Sequence, residues 1–301
     1  MIALVATLYT IALLLFPLSS FAAEAAKLRY TFSVYADDRG ISLNHPEGVA
    51  CNDQSVLVVG DSGNDRLLKF TYQDKSLKTG KEIKIPQLSN PIRLQINSKG
   101  DIFALDGKQR RIVRLDSEGT FKGFVAAEGA PSASAMVPRS VKVDREDNIY
   151  VLDVLSGRVV VLSPEGKYLR QIGFPKDYGF FSDLAVDSKG SVLLIDSEKA
   201  RLFSAAKGSN VFAPLGASFK EYLSFPVSIT TDNRGVIYVT DTNGAAIGVL
   251  AQDGSFLGKQ LSMGWTEGLL YYPSQTCINE KGEIFIADRG NSRVQIFSLV
   301  K

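Results

Sequence analysis

Short apolar runs recur along the chain, each three or four residues long and ending in aspartate, as in Val151-Leu152-Asp153. A polar turn follows, and an arginine or its substitute then leads a second apolar run, as in Arg158 to Leu162. The alternation has period two, and Gly, Asn and Asp turns interrupt it too often for helices, so the elements are short strands. Six segments share the pattern. Their aspartates are Asp61, Asp106, Asp153, Asp196, Asp241 and Asp288, at intervals of 45, 47, 43, 45 and 47 residues. Fifteen residues before each stands a second marker: Pro46, Pro91, Pro138, Phe181, Pro226 and Pro273.

Between the markers lie two stretches rich in β-branched residues, joined by turns such as Asn97-Ser98-Lys99-Gly100 and Asp232-Asn233-Arg234-Gly235, which reads as a hairpin. A third strand follows each aspartate. A fourth follows a second turn, such as Glu165-Gly166. Four antiparallel strands every ~45 residues define a propeller blade. The fold class is therefore all-β: a six-bladed β-propeller of four-stranded antiparallel blades. The last blade stops after its third strand, at Lys301, while Leu28 to Tyr35 precede the first blade without a partner and alternate apolar residues at Leu28, Tyr30, Phe32 and Val34. This N-terminal strand is expected to complete the last blade and close the ring, removing exposed edges.

The string Asp288-Arg289-Gly290-Asn291-Ser292-Arg293-Val294-Gln295-Ile296-Phe297 resembles the diagnostic half of an NHL repeat. Asp61 to Phe70 nearly repeats it, and Pro46-Glu47-Gly48-Val49-Ala50 resembles the other half. The copies are uneven: Gln109 replaces Asn, the fourth has Phe181 for Pro, and the fifth has Ala246 where others carry Arg66, Arg111, Arg158, Arg201 and Arg293. The repeated Asp and Arg are expected to be structural, tying a turn to a neighbouring strand.

The 301 residues are 45% hydrophobic and 22% charged, with a formal charge of +2. That is ordinary for a globular chain, and so small a charge opposes nucleic-acid binding, which needs a concentrated basic face, so no nucleic-acid partner is expected. Ile2 to Leu18 is almost wholly apolar and leads into Ser19, Ser20, Phe21, Ala22 and Ala23. Residues 1–22 read as a signal peptide, with an uncleaved anchor as the alternative, and 23–301 as one propeller domain. The expected location is periplasmic or secreted, with no membrane span after cleavage.

There is one histidine, His45, followed directly by Pro46, and it reads as a loop residue. The resemblance extends to amidating lyases that hold zinc with several histidines, a site this chain cannot build. It extends also to lactonases that hold calcium with carboxylates and Asn near the channel mouth. The corresponding oxygens here would come from Glu47, Asn90 and Asp183, giving a calcium-dependent hydrolase as the alternative function. The channel-mouth position, two residues after each marker, reads Gly48, Arg93, Ser140, Asp183, Ser228 and Gln275, one residue past Arg139 in the third blade. Pairing of Arg93 with Asp183 across that mouth is the simpler expectation, with no cofactor.

Aromatic residues crowd the loops before the inner strands of the last three blades: Phe174, Tyr178, Phe180, Phe219, Tyr222, Phe225, Trp265, Tyr271 and Tyr272. Phe180, Phe225 and Tyr272 fall in the slot that caps the core between blades, whereas Trp265, the single Trp, does not. The leading reading is a scaffold that binds an envelope or extracellular protein, or a small ligand, through Trp265, Tyr178, Tyr271, Phe219 and Tyr222 with Arg93 and Arg139. Cys51 and Cys277 fall on the first and last inner strands, which ring closure makes neighbours. They lie five and four residues after their markers, on opposite faces of equivalent strands, so both enter the shared interface or both avoid it. A disulfide and a pair of buried thiols both remain open.

Overall fold

A computed structural model describes residues 27–73 and 76–300. The expected signal peptide, residues 1–22, lies outside them. The described residues form six four-stranded antiparallel sheets arranged as a ring. The inner strands are Gly48–Cys51, Pro91–Ile96, Pro138–Val143, Phe181–Val186, Pro226–Thr231 and Pro273–Ile278. Second and third strands such as Ile149–Asp153 and Arg158–Leu162 are buried along their whole length. Each blade is covered on both faces by its neighbours, so these strands read as continuous apolar runs. Val58 and Leu67 of the first blade pack with Leu94, Ile102 and Val113 of the second, and equivalent clusters fill the other gaps.

The repeated aspartates hold the loops that lead into the inner strands. Each is fully buried and accepts a backbone N–H from a residue 16 or 17 positions earlier. The donors are Asn44 (2.7 Å), Ser89 (3.0 Å), Val137 (3.0 Å), Gly179 (2.7 Å), Ser224 (2.7 Å) and Tyr271 (2.7 Å). Buried carboxylates need such donors, and charge-assisted bonds of this kind are among the stronger ones. In three blades the repeat arginine secures the same loop from its other side. Arg66, Arg158 and Arg293 bridge their aspartates at 2.7, 3.1 and 2.8 Å and donate onward to the carbonyls of Ile41, Pro131 and Thr266. The repeated Asp, and the Arg in these three blades, thus serve architecture.

The last sheet is ordered Lys27–Val34, Arg293–Val300, Glu283–Asp288, Pro273–Ile278, so the N-terminal strand closes the ring. Lys27 pairs with Val300 and Val34 with Val294, with a bulge between Tyr30 and Phe32. The bulge interrupts the alternation and leaves Phe32 36% exposed while Ser33 and Val34 turn inward. At the same seam the Cys51 and Cys277 sulfurs are bonded. No described helix is long and apolar enough to cross a membrane.

Candidate functional site

Loops and aspartates occupy one face of the ring, where the inner strands begin. The hairpin turns that follow the inner strands occupy the other. The positions two residues after each marker are not at an open mouth: Gly48, Ser140, Asp183, Ser228 and Gln275 are buried. The Asp183 carboxylate accepts from the Ser140 hydroxyl, Ser228 Oγ (2.8 Å) and the amides of Leu184 (2.9 Å) and Ile229 (3.0 Å). Its charged neighbour is Lys142 of the third blade, Nζ at 3.6 Å, and not Arg93 as the sequence suggested. Arg93 instead reaches across the channel and donates from Nη2 to the Val227 carbonyl at 3.2 Å, leaving a buried Nε without a partner. Gln275 bridges the last blade to Val49 N (3.2 Å) and Leu94 N (3.1 Å). Arg93 and Gln275 together plug the ring from its loop face.

Below this plug, the turn face opens into a cavity of about 570 Å³. Its floor includes Gln95, Lys142, Ala185, Thr230 and Cys277, each four residues after its marker. The six turns form the rim. Each begins with Asn or Asp: Asn52, Asn97, Asp144, Asp187, Asp232 and Asn279. In every one, the side-chain oxygen accepts the amides two and four residues on, a repeated device that stiffens the rim. Burial, together with Arg93, pushes the Lys142 ammonium below its ordinary pKa, and Asp183 opposes that shift. Sequence reasoning missed this cavity. Lys142 stands among residues that read as plain strand, and only its place on the channel side of the inner strand, two residues past Ser140, hinted at it.

The metal-site candidates are each engaged elsewhere. Asp183 is enclosed by protein donors, Glu47 pairs with Arg289 at 3.7 Å, and Asn90 donates to the Ser62 carbonyl at 3.3 Å. Among the described residues no three His, Cys, Asp or Glu side chains gather as a metal site. Arg139 lies over the Phe180 ring at 4.3 Å, and burial with the charges of Arg93 and Arg110 lowers its pKa.

The aromatic residues of the loop face divide. Phe219 is buried in the core with Leu202, Leu223 and Ile229, because the Phe219 amide is tied to the Ala200 carbonyl and turns the ring inward. It is therefore not part of a contact surface. Tyr178 stacks on Phe181, and Tyr222 stacks on Phe256 at 4.4 Å, so each exposes only one side. Phe225 and Tyr272, expected as core caps, are 36% and 38% exposed, while the marker residue Phe181 fills that role in the fourth blade. Trp265 is 75% exposed, its ring 6.1 Å from that of Tyr271, and Met263, two residues earlier in the chain, is 55% exposed.

These features define a six-bladed β-propeller whose channel is plugged by polar side chains, with exposed aromatic residues on the loops of its last three blades and a polar turn-face cavity. The NHL repeat pattern matches residues 270–297. Guanine nucleotide-exchange factor SEC12 of Candida glabrata is 25% identical over 211 residues, 68% of this chain and 41% of that protein. Protein brain tumor of Drosophila melanogaster is 25% identical over 139 residues, 44% of this chain and 13% of its own length. The chain thus spans less than half of these curated relatives. Among solved structures, a gluconolactonase from Xanthomonas campestris superposes with a TM-score of 0.68 at 15% identity, covering 92% of this chain and 97% of that one. Virginiamycin B lyase from Staphylococcus aureus with quinupristin gives 0.65 at 14% identity, covering 91% and 99%. At these identities the likeness is one of fold.

Proposed function

We propose that this chain is an exported binding propeller that docks a partner protein of the envelope or extracellular space on its loop face, centred on Trp265. The observation that carries this reading is an exposed apolar cluster on a stiff loop. Trp265 and Met263 project from a segment whose backbone is pinned. Arg293 donates to the carbonyls of Thr266 (2.8 Å) and Leu269 (2.9 Å), Asn291 donates to that of Gly264 (3.0 Å), and Asp288 accepts the Tyr271 amide. Large apolar groups held rigid in water lose little entropy on association, which is the property of an interface anchor. Tyr222 and Phe225 of the neighbouring blade, 47% and 36% exposed, extend the same face.

The test is Trp265→Ala combined with Met263→Ala. Both side chains are exposed, so thermal stability should stay near wild type. Capture of a cross-linked partner from the cell envelope or culture medium should fall at least about tenfold. A double variant that retains every wild-type partner would overturn the proposal.

A further inference from the structure

The geometry points to the turn-face cavity as a binding site for a small zwitterion, an amino acid or short peptide, with its carboxylate on Lys142 and its ammonium group among the rim carboxylates. This site lies on the opposite face from the proposed partner surface and stands independently of it.

Lys142 is the anchor. Its side chain is 9% exposed and lines the cavity floor. Asp183 pairs with it at 3.6 Å, but the Asp183 oxygens are also met by two hydroxyls and two amides, so at most one of the three ammonium N–H groups is directed to that carboxylate. The ammonium therefore keeps donors for something in the cavity, and an ammonium in so enclosed a place needs an acceptor. Arg93 adds a second positive charge near Lys142, against the single carboxylate of Asp183, so the floor favours an anionic group.

The rim has the opposite bias. Seven carboxylates line the cavity against three cations other than Lys142; Asp232 is paired with Arg234 at 2.6 Å, whereas Asp53, Asp144, Asp147 and Asp187 have no ion-pair partner among the described residues. Of the three cations, Arg145 is paired with Glu280 at 3.2 Å and Lys207 with Glu146 at 3.5 Å. A phosphate dianion would cross a negative rim to reach the floor, whereas a molecule with an ammonium at one end and a carboxylate at the other meets complementary charge at both. The volume of about 570 Å³ is within the range of small-molecule sites, and Gln95, Thr230 and Asn233 supply neutral hydrogen-bonding groups for a peptide backbone.

Calorimetric titration with four probes separates the parts. Triglycine should bind; N-acetyl-triglycine, lacking the ammonium, should bind more weakly; triglycine amide, lacking the carboxylate, and inorganic phosphate should not bind measurably. Lys142→Met should weaken triglycine binding by about tenfold or more, as expected for loss of a charge-assisted contact. Lys142 can also be followed in the wild-type protein by reductive methylation and mass spectrometry, which stays informative if the variant does not fold. Triglycine should protect Lys142 and leave rim Lys189 reactive. Equal binding of triglycine and its amide, no heat with triglycine at millimolar concentration, or unchanged methylation of Lys142 would each overturn the proposal.

Discussion

Cys51 and Cys277 are 226 residues apart in the chain and 6.0 Å apart between Cα atoms, joined across the seam where the last blade meets the first. Cys51 ends its inner strand and Cys277 stands one residue before the end of its own, both at the wall of the turn-face cavity. The bond and the N-terminal strand therefore close the same joint by different means, one covalent at the channel and one hydrogen-bonded at the rim of the last blade.

Because the bridge closes so long a loop, its effect on the unfolded chain is large. On the chain-entropy model the stabilisation approaches about 5 kcal/mol. Cys51→Ser with Cys277→Ser should lower the unfolding free energy by up to about that amount, read as a lower denaturation midpoint, and reductant should lower the wild type similarly. Alkylation of both thiols in denaturant without prior reduction would show that the bond does not form.

The N-terminal strand is expected to matter as much for solubility as for stability. Deleting residues 23 to 36 would strip the Lys27–Val34 strand from Arg293–Val300 and leave an unpaired edge. Light scattering of the truncated protein should reveal concentration-dependent assembly. A truncated chain as soluble and heat-resistant as the full one would show that the edge is tolerated.

Close packing sets a further constraint at Gly60, in the second strand of the first blade. A Cβ there would lie 2.7 Å from the Pro91 carbonyl oxygen and 3.3 Å from Gly48 Cα, both backbone atoms. Neither can swing aside. Gly60→Ala should destabilise the fold by about 1–3 kcal/mol through overpacking, measured by urea denaturation. An unchanged midpoint would mean that the first two blades can separate slightly at no cost.

Much of this architecture is legible in the sequence because its determinants are local and repeated. Asp61, Asp288 and their equivalents each solve the same problem, the satisfaction of loop amides, at the same distance in sequence, so the period survives even where Arg is replaced by Ala246. Seam closure is legible for a similar reason: Lys27–Val34 had no other edge to join. What the repeat does not encode is depth along the channel. Gly48 and Asp183 carry the position of a mouth in sequence, yet the side chains of Arg93 and Gln275 reach across the ring and bury that level, and the open cavity lies at the other end. Cross-channel contacts such as Lys142 with Asp183 join different blades and depend on side-chain length and direction, which periodicity does not report. The exposure of Phe225 beside the burial of Phe219 has the same origin, since the two rings leave one loop whose backbone is tied at Phe219 to the Ala200 carbonyl and at Phe225 to the Asp241 carboxylate.

Acid should loosen the joint where the N-terminal segment meets the first blade. Asp37 is buried and accepts N–H groups from Ile41 (2.9 Å) and Arg39 (3.0 Å), and it pairs with Arg66 at 2.7 Å and Arg39 at 3.1 Å. Burial alone would raise its pKa, but the Ile41 amide, Arg66 and Arg39 together hold it well below the ordinary carboxylate value. A depressed pKa in the folded state means that the contribution of Asp37 is complete above the unfolded value, about pH 4, and is lost as pH falls from there through the folded value. Glu82, which contacts the same two arginines, is also lowered and contributes in the same direction, so Glu82→Gln serves as the parallel control. Asp37→Asn should be less stable than wild type at neutral pH, with the gap narrowing as the solution is acidified below about pH 4. Denaturation midpoints measured for both proteins over that interval provide the check. Curves that stay parallel down to the acid limit would mean that Asp37 titrates alike in the folded and unfolded chains, and that the Arg66 contact adds nothing to the closure of the ring.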